Sequence, residues 1–270
     1  MSVAPGTLVL LGPVITWMCR LAALATAINA IELLAMRHDF TEDGAWRASA
    51  LAESWGPWRG LLDAGRFTWV LRIELALAIV LAAVPGTGAG CVAAAALAFT
   101  TWLSALRFGG NVNGGADAML FTVLGGLTVA QLPAVAPVVH EAGVLYVAAQ
   151  LSLSYLRAGL VKVKERAWWT GDALASFLSL PAYGVPRAVR PRSGRASTWW
   201  RSARCIASIG VMSFECLAVM AWFDPIICVV VIAAALTFHT SVAVLFGLNR
   251  FLLAWGAALP SLWYAVHRAA

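Results

Sequence analysis

Apolar runs long enough to cross a lipid bilayer recur along the whole of this chain. A spanning helix needs about 20 such residues, because the hydrocarbon core of a bilayer is about 30 Å thick. The runs are continuously apolar and lack the alternation of a membrane β-strand. Only 12% of the 270 residues are charged and 61% are hydrophobic, whereas soluble domains carry roughly 25% charged residues. We therefore predict an all-α, polytopic integral membrane helix bundle, multi-pass in the cell membrane.

About eight spans fit these runs. The first run is too long for the apolar part of a secretory signal and has no basic segment before it, so we expect it to be retained. Asp224 and Pro225 separate two runs, and we expect Asp224 to cap the helix that follows. One transmembrane domain is predicted over residues 1–270. The predicted spans are 8–36, 67–84, 88–106, 116–132, 138–161, 205–223, 225–245 and 251–267.

Lysine and arginine lie in alternate loops, and nearly half of the 19 fall between Lys162 and Arg204. The loops after the second, fourth and sixth predicted spans contain neither residue. Because loops rich in these residues stay in the cytoplasm, the odd-numbered loops are predicted to be cytoplasmic, including a basic loop at residues 187–204. Such a loop suits anionic headgroups. We expect membrane lipid as a partner and not nucleic acid.

Ionisable residues inside the predicted spans are the first candidates for function. A charge at the centre of a spanning helix costs at least about 2.5 kcal/mol, so these side chains should face the bundle interior and pair. Two interpretations remain open, since such pairs either fix helix register or form a working site. The residues are Arg20, Glu32, Arg72, Glu74, Arg157, Lys162, Glu215 and His239.

The stretch YLRAGLVKVKERAWWTGDAL, residues 155–174, carries the main candidate. A lysine that is desolvated at the edge of an apolar bundle can act as a base. The alternative is a cation that reaches to the headgroups beside interfacial tryptophans. A neutral histidine can relay a proton or bind a substrate oxygen. We predict Lys162 and His239 as catalytic residues, and Arg157, Trp168 and Glu215 as substrate-binding residues.

A polar, glycine-rich segment leads into the fourth predicted span and adds two candidates, Asn113 and Asp117. One interpretation is a turn followed by an aspartate cap. The other is a substrate-binding entrance, where glycines permit close approach of the backbone. The five cysteines are dispersed without the spacing of metal ligands, so no metal site is predicted.

Two other stretches predict segments that lie flat at the headgroups. Residues 46–62 carry tryptophans together with arginine and glutamate, and residues 168–183 are apolar but are interrupted by Asp172 and serines. Both have the amphipathic composition of an interfacial helix.

Several motifs together resemble a known membrane family. AGLVK at 158–162, followed by WWTG at 168–171, resembles the lysine motif of the vitamin K-dependent gamma-carboxylase membrane domain, also called the horizontally transferred transmembrane (HTTM) domain. NGGADAML at 113–120, FECL at 214–217 and FH at 238–239 follow in the family's order. The resemblance implies that Lys162 acts as a base on a reduced quinone, which would be the cofactor, with a peptide as substrate.

The chain is also similar to single-domain bacterial members of this class, among them the sporulation-delaying protein B group. That similarity implies a role in the maturation or export of a secreted peptide. Two functions therefore stay open: a quinone-using or peptide-modifying enzyme, and a non-catalytic membrane factor for such a peptide. The sequence does not indicate the oligomeric state.

Overall fold

The structure is a computed structural model that describes residues 5–108, 115–180 and 198–268. Across these three ranges the chain is helical and contains no strand. The all-α prediction is thereby confirmed for the part of the chain described. Asn113 lies outside these residues, as do residues 187–197 of the expected basic loop. Residues 198–204 of that loop form the first turns of a helix instead.

The chain divides into two compact units. The first unit comprises residues up to 148 and from 253 onward, and the second comprises residues 149–252. Whether the whole forms one transmembrane domain stays a prediction. The helices in chain order are α1 Pro5–Ala35, α2 Ala48–Leu51, α3 Arg59–Leu62, α4 Ala64–Ala83, α5 Gly88–Arg107, α6 Gly115–Ala130, α7 Pro137–Lys164, α8 Arg166–Trp169, α9 Asp172–Ser179, α10 Thr198–Leu217, α11 Pro225–Phe246 and α12 Asn249–His267.

Local sequence fixes several helix ends. The Asp63 carboxylate accepts a hydrogen bond from the Arg66 amide at 2.8 Å and caps α4. Asp224 accepts from the amides of Ile226 and Ile227, with Pro225 at the first helical position. These contacts satisfy amide groups that a helix leaves unpaired at its N-terminus. The predicted cap at Asp224 is confirmed.

Within the three described ranges, five helices are long and apolar enough to cross a membrane: residues 10–35, 88–107, 137–164, 199–223 and 225–246. The last turns of the fourth stretch are 3-10 helix. The other predicted spans coincide with α4, α6 and α12, which fall short for local reasons. α4 contains three charged residues, Arg66, Arg72 and Glu74, and α6 has only 16 residues. In α12 the Trp, Tyr, Ser and Pro residues lower the mean hydropathy of the helix.

In the first unit, α1, α4, α5 and α6 pack on one another around an apolar core. The segment 46–62 contributes to that core, since Trp55 and Leu62 are buried in it. The expectation that this segment lies flat at the headgroups is therefore wrong for Trp55. Its indole packs against the Arg107 guanidinium, 4.6 Å from the ring centroid, which favours the interior.

In the second unit, α10 packs against α8, α9 and α11, and the second half of α7 lies beside it. Many large apolar side chains of α10 and α11 are exposed, including Ile206, Ile226 and Val244. Exposed apolar surface of this extent on long helices is what a lipid-facing surface requires. The buried residues of this unit include polar groups, and these form the candidate site.

Candidate functional site

One face of α7 carries the site. Tyr155, Gly159 and Lys162 follow one another at helical spacing, so they lie on the same side of the helix. Gly159 lies against α10, because a Cβ at this position would come within 2.8 Å of the Cys216 amide nitrogen. The missing side chain lets the two backbones touch, and this contact brings Lys162 beside Glu215.

Lys162 and Glu215 form an ion pair inside this helix contact. The Lys162 ammonium nitrogen, Nζ, lies 2.7 Å from one Glu215 carboxylate oxygen and 2.6 Å from the other. The exposed fraction of the side chain is 19% for Lys162 and 4% for Glu215. A single ammonium held by both oxygens is a short, charge-assisted contact in a place that excludes most water. Most of the Lys162 side chain is turned away from solvent, and the contact with Glu215 favours a paired lysine over a snorkelling cation.

Trp168 covers the ion pair. The centroid of its ring lies 5.2 Å from Lys162 Nζ. Its backbone carbonyl accepts a hydrogen bond from the Ser208 hydroxyl of α10, and the neighbouring Trp169 carbonyl accepts one from the Cys205 thiol at 3.1 Å. The tryptophan pair is thus fixed to the helix that carries Glu215. Trp168, which covers Lys162, is therefore held in place by hydrogen bonds to α10.

A second polar pair lies two helical turns from Lys162 along α7. The Tyr155 hydroxyl is 2.9 Å from His239 Nε2, and both side chains are 2% exposed. Tyr155 packs edge-on against Phe214, the residue before Glu215, with centroids 4.9 Å apart. The site therefore combines an acid–base pair and a phenol–imidazole pair, about 10 Å apart along the helix axis.

The other predicted site residues lie elsewhere. Arg157 is exposed on α7 and makes no contact with the Lys162–Glu215 pair among the described residues, so its role as a substrate-binding residue stays a prediction. Asp117 lies within α6 in the first unit, so it is not the predicted cap before the helix. Arg72 is exposed and packs on the Trp69 ring, whereas Glu74 on the same helix is fully buried.

Sequence reasoning missed Tyr155, Gly159 and Ser208. Helical spacing could have identified Tyr155 and Gly159, since they precede Lys162 by seven and three residues and so share its helix face. Ser208 precedes Glu215 by the same seven residues on α10. His239 was identified, but its hydrogen-bond partner Tyr155 was not.

The arrangement can move a proton but offers no evident metal centre. Within the described residues, no three His, Cys, Asp or Glu side chains gather as metal ligands. Transfer of one proton from the Lys162 ammonium to Glu215 leaves a neutral amine and a neutral carboxylic acid, and the neutral amine is a base. We compared the chain with protein-family models, with curated proteins and with solved structures, and none of the three gave a match.

Proposed function

We propose that this chain is a multi-pass membrane protein of about eight spans whose Lys162–Glu215 pair is the reactive centre of an HTTM-class enzyme. The observation that carries the proposal is the position of Lys162 Nζ between both oxygens of a buried glutamate, beneath Trp168. Ionisable groups are expensive inside a bilayer bundle, and those that persist there usually serve a function.

Glu215 can accept a proton from the Lys162 ammonium and so leave the lysine neutral. In a medium of low dielectric constant the neutral form of the pair competes with the ionic form, because desolvation penalises both charges. The neutral amine then accepts a proton from a hydroxyl group of a lipid-soluble substrate, for which the family resemblance suggests a reduced quinone. In this proposal the Tyr155–His239 pair binds a second oxygen of such a molecule, supported by its hydrogen bond of 2.9 Å and its position two turns from Lys162 on α7.

The test compares substitutions at neighbouring lysines. The purified protein in lipid nanodiscs is supplied with 2-methyl-1,4-naphthohydroquinone, and oxygen-dependent quinone formation is followed by absorbance above the rate with empty discs. Lys162→Ala should reduce the enzymatic rate to background. Lys162→Arg should be equally inactive, because a guanidinium stays protonated and cannot take a proton. Lys164→Ala is the control, since Lys164 is exposed and lies two residues away.

An active Lys162→Arg protein would show that a positive charge suffices and that no proton is taken at this position. Wild-type protein without activity on the hydroquinone would exclude this substrate. Processing of a co-expressed secreted peptide is then the remaining readout, with the same three variants.

A second function is favoured by the completeness of the ion pair itself. A lysine bound by both carboxylate oxygens holds α7 against α10, and this structural role needs no chemistry at the lysine. On this proposal the chain is a non-catalytic membrane factor that assists maturation or export of a secreted peptide. It predicts that Lys162→Arg retains peptide maturation in cells, whereas the enzyme proposal predicts its loss.

A further inference from the structure

A crevice in the first unit lies outside the site described above. It has a volume of about 550 Å³ and is bounded by α1, the α4–α5 turn, the α6–α7 connection and the first turn of α7. Residues that line it include Gly12, Thr16, Gly86, Gln131 and His140. Its size lies within the range of small-molecule sites, which are mostly apolar with a few placed polar groups.

His140 lines this crevice, and one of its ring nitrogens has a defined partner. Its Nδ1 lies 2.9 Å from the carbonyl oxygen of Ala130, the last residue of α6. A carbonyl oxygen can only accept, so Nδ1 carries the proton of this hydrogen bond. In the neutral ring Nε2 is then an acceptor. The contact with Ala130 caps a helix end, but that structural role uses only one of the two nitrogens.

The other polar groups of the lining restrict the ligand further. Both functions of the Gln131 amide are engaged, since its oxygen accepts from the Gly86 amide at 2.8 Å and its nitrogen donates to the Leu127 carbonyl at 3.1 Å. The Thr16 hydroxyl donates to the Gly12 carbonyl, which leaves its oxygen as an acceptor. Among the described lining residues there is no Asp, Glu, Lys or Arg.

We propose that this crevice binds a neutral, largely apolar molecule with a hydroxyl group, a phenol or an alcohol, whose O–H donates to His140 Nε2. The lining offers acceptors and no free charge, so it selects a donor and disfavours an ion. Leucine, isoleucine, proline and alanine side chains supply the apolar walls. The inference does not depend on Lys162, because every residue that carries it belongs to the first unit.

The test uses two probes that differ in one hydrogen-bond donor. Binding of 2-naphthol and of its ether 2-methoxynaphthalene is measured by fluorescence titration of the full chain in nanodiscs, with empty discs subtracted. Saturable binding of 2-naphthol is expected, tighter than that of the ether by about three- to tenfold, the factor that one neutral hydrogen bond gives. Equal binding of the two probes, or no saturable binding, would overturn the proposal.

Variants separate the two roles of His140. An asparagine places an amide nitrogen where Nδ1 was and lacks Nε2, so His140→Asn should keep the cap on Ala130 and an unchanged melting temperature. It should lose the preference for 2-naphthol over the ether. If His140→Asn melts lower, His140→Gln, which retains an acceptor near the Nε2 position, must restore the preference. A preference that survives in His140→Asn would contradict the assignment of Nε2.

Two glycine substitutions test whether the probes bind in this crevice. Gly12 lines the crevice, and a Cβ there would meet no atom within 4 Å, so Gly12→Leu should fill space and weaken binding of both probes. Gly125 of α6 is equally open but does not line the crevice, so Gly125→Leu is the matched control and should bind as wild type. Wild-type binding by Gly12→Leu would place the probe elsewhere.

Discussion

Arg107 lies in the last turn of α5 with its side chain completely buried. Its guanidinium donates to the Trp46 carbonyl at 2.6 Å and lies 4.6 Å from the Trp55 ring centroid and 5.4 Å from that of Phe40. The rings of Phe67 and Phe108 are within 6 Å as well. A planar cation among aromatic faces fastens the segment after α1 to the end of α5.

Replacing Arg107 by lysine should destabilise the first unit. A lysine keeps the charge but loses the planar stacking and the directed hydrogen bond, so the free energy of unfolding should fall by about 1–2 kcal/mol. Unfolding is measured by detergent titration. Arg66→Lys is the control, because Arg66 is largely exposed and its change should be small. Equal effects of the two substitutions would refute the stabilising role of Arg107.

The predicted third span ends at residue 106 and leaves Arg107 in a loop, whereas Arg107 is the last residue of α5 and is buried. The sequence does not show this burial, because a charge at the end of an apolar run has the same pattern whether it is solvated or buried. The aromatic residues that surround it are separated along the chain, and hydropathy does not reveal that they meet. The pairing of Lys162 with Glu215 was easier to anticipate, since two opposite charges in apolar helices must find partners.

At the scale of helices, the contact between α7 and α10 depends on Gly159. A methyl group there would come within 2.6 Å of the Cys216 sulfur and 2.8 Å of its amide nitrogen. Backbone cannot move away cheaply, so the helices must separate and the Lys162–Glu215 contact must lengthen.

Gly159→Ala should therefore cost about 1–3 kcal/mol of stability, the range for overpacking, and should reduce any activity that depends on the ion pair. Gly210→Ala on α10 is the matched control, because a Cβ there meets no atom within 4 Å. The control should be neutral or slightly stabilising, since alanine favours helix more than glycine does. Thermal unfolding of both variants checks this, and a Gly159→Ala protein as stable as wild type would contradict the described contact.

The helices themselves were largely predictable, and their contacts were not. Apolar runs and polar breaks located the main helices, and Asp224 marked a helix start by its capping chemistry. The start of α10 was missed, because basic residues near 201–204 favour a loop on composition although they extend the helix. The partner of His239 was missed because Tyr155 lies 84 residues away and a tyrosine is common in any apolar helix.

At the scale of the whole molecule, the connections between helices of the first unit differ in their content of Lys and Arg. Arg37, Arg47 and Arg59 lie in the connection from α1 to α4, whereas the α4–α5 turn and the α6–α7 connection have no Lys or Arg among their described residues. Positive residues remain on the cytoplasmic side of a membrane protein, so the arginine-bearing connection is predicted to be cytoplasmic.

Labelling with a membrane-impermeant maleimide tests this orientation. In a background without native cysteines, Ala89→Cys at the start of α5 should react in intact cells, because it is exposed and follows a turn that has no Lys or Arg. Asp43→Cys should react only after permeabilisation. The reverse pattern would invert the orientation, and reaction of both positions in intact cells would contradict a spanning first unit.

We propose that the Lys162–Glu215 pair works as a proton-transfer centre and does not merely join two helices. The measurement is the stability and activity of the double variant Lys162→Met/Glu215→Met beside each single variant. Breaking a buried pair at one partner is costly by about 3–5 kcal/mol, whereas an apolar pair of similar volume is often neutral or stabilising. We predict that the double variant regains wild-type stability and remains inactive. A double variant that is both stable and fully active would contradict the account.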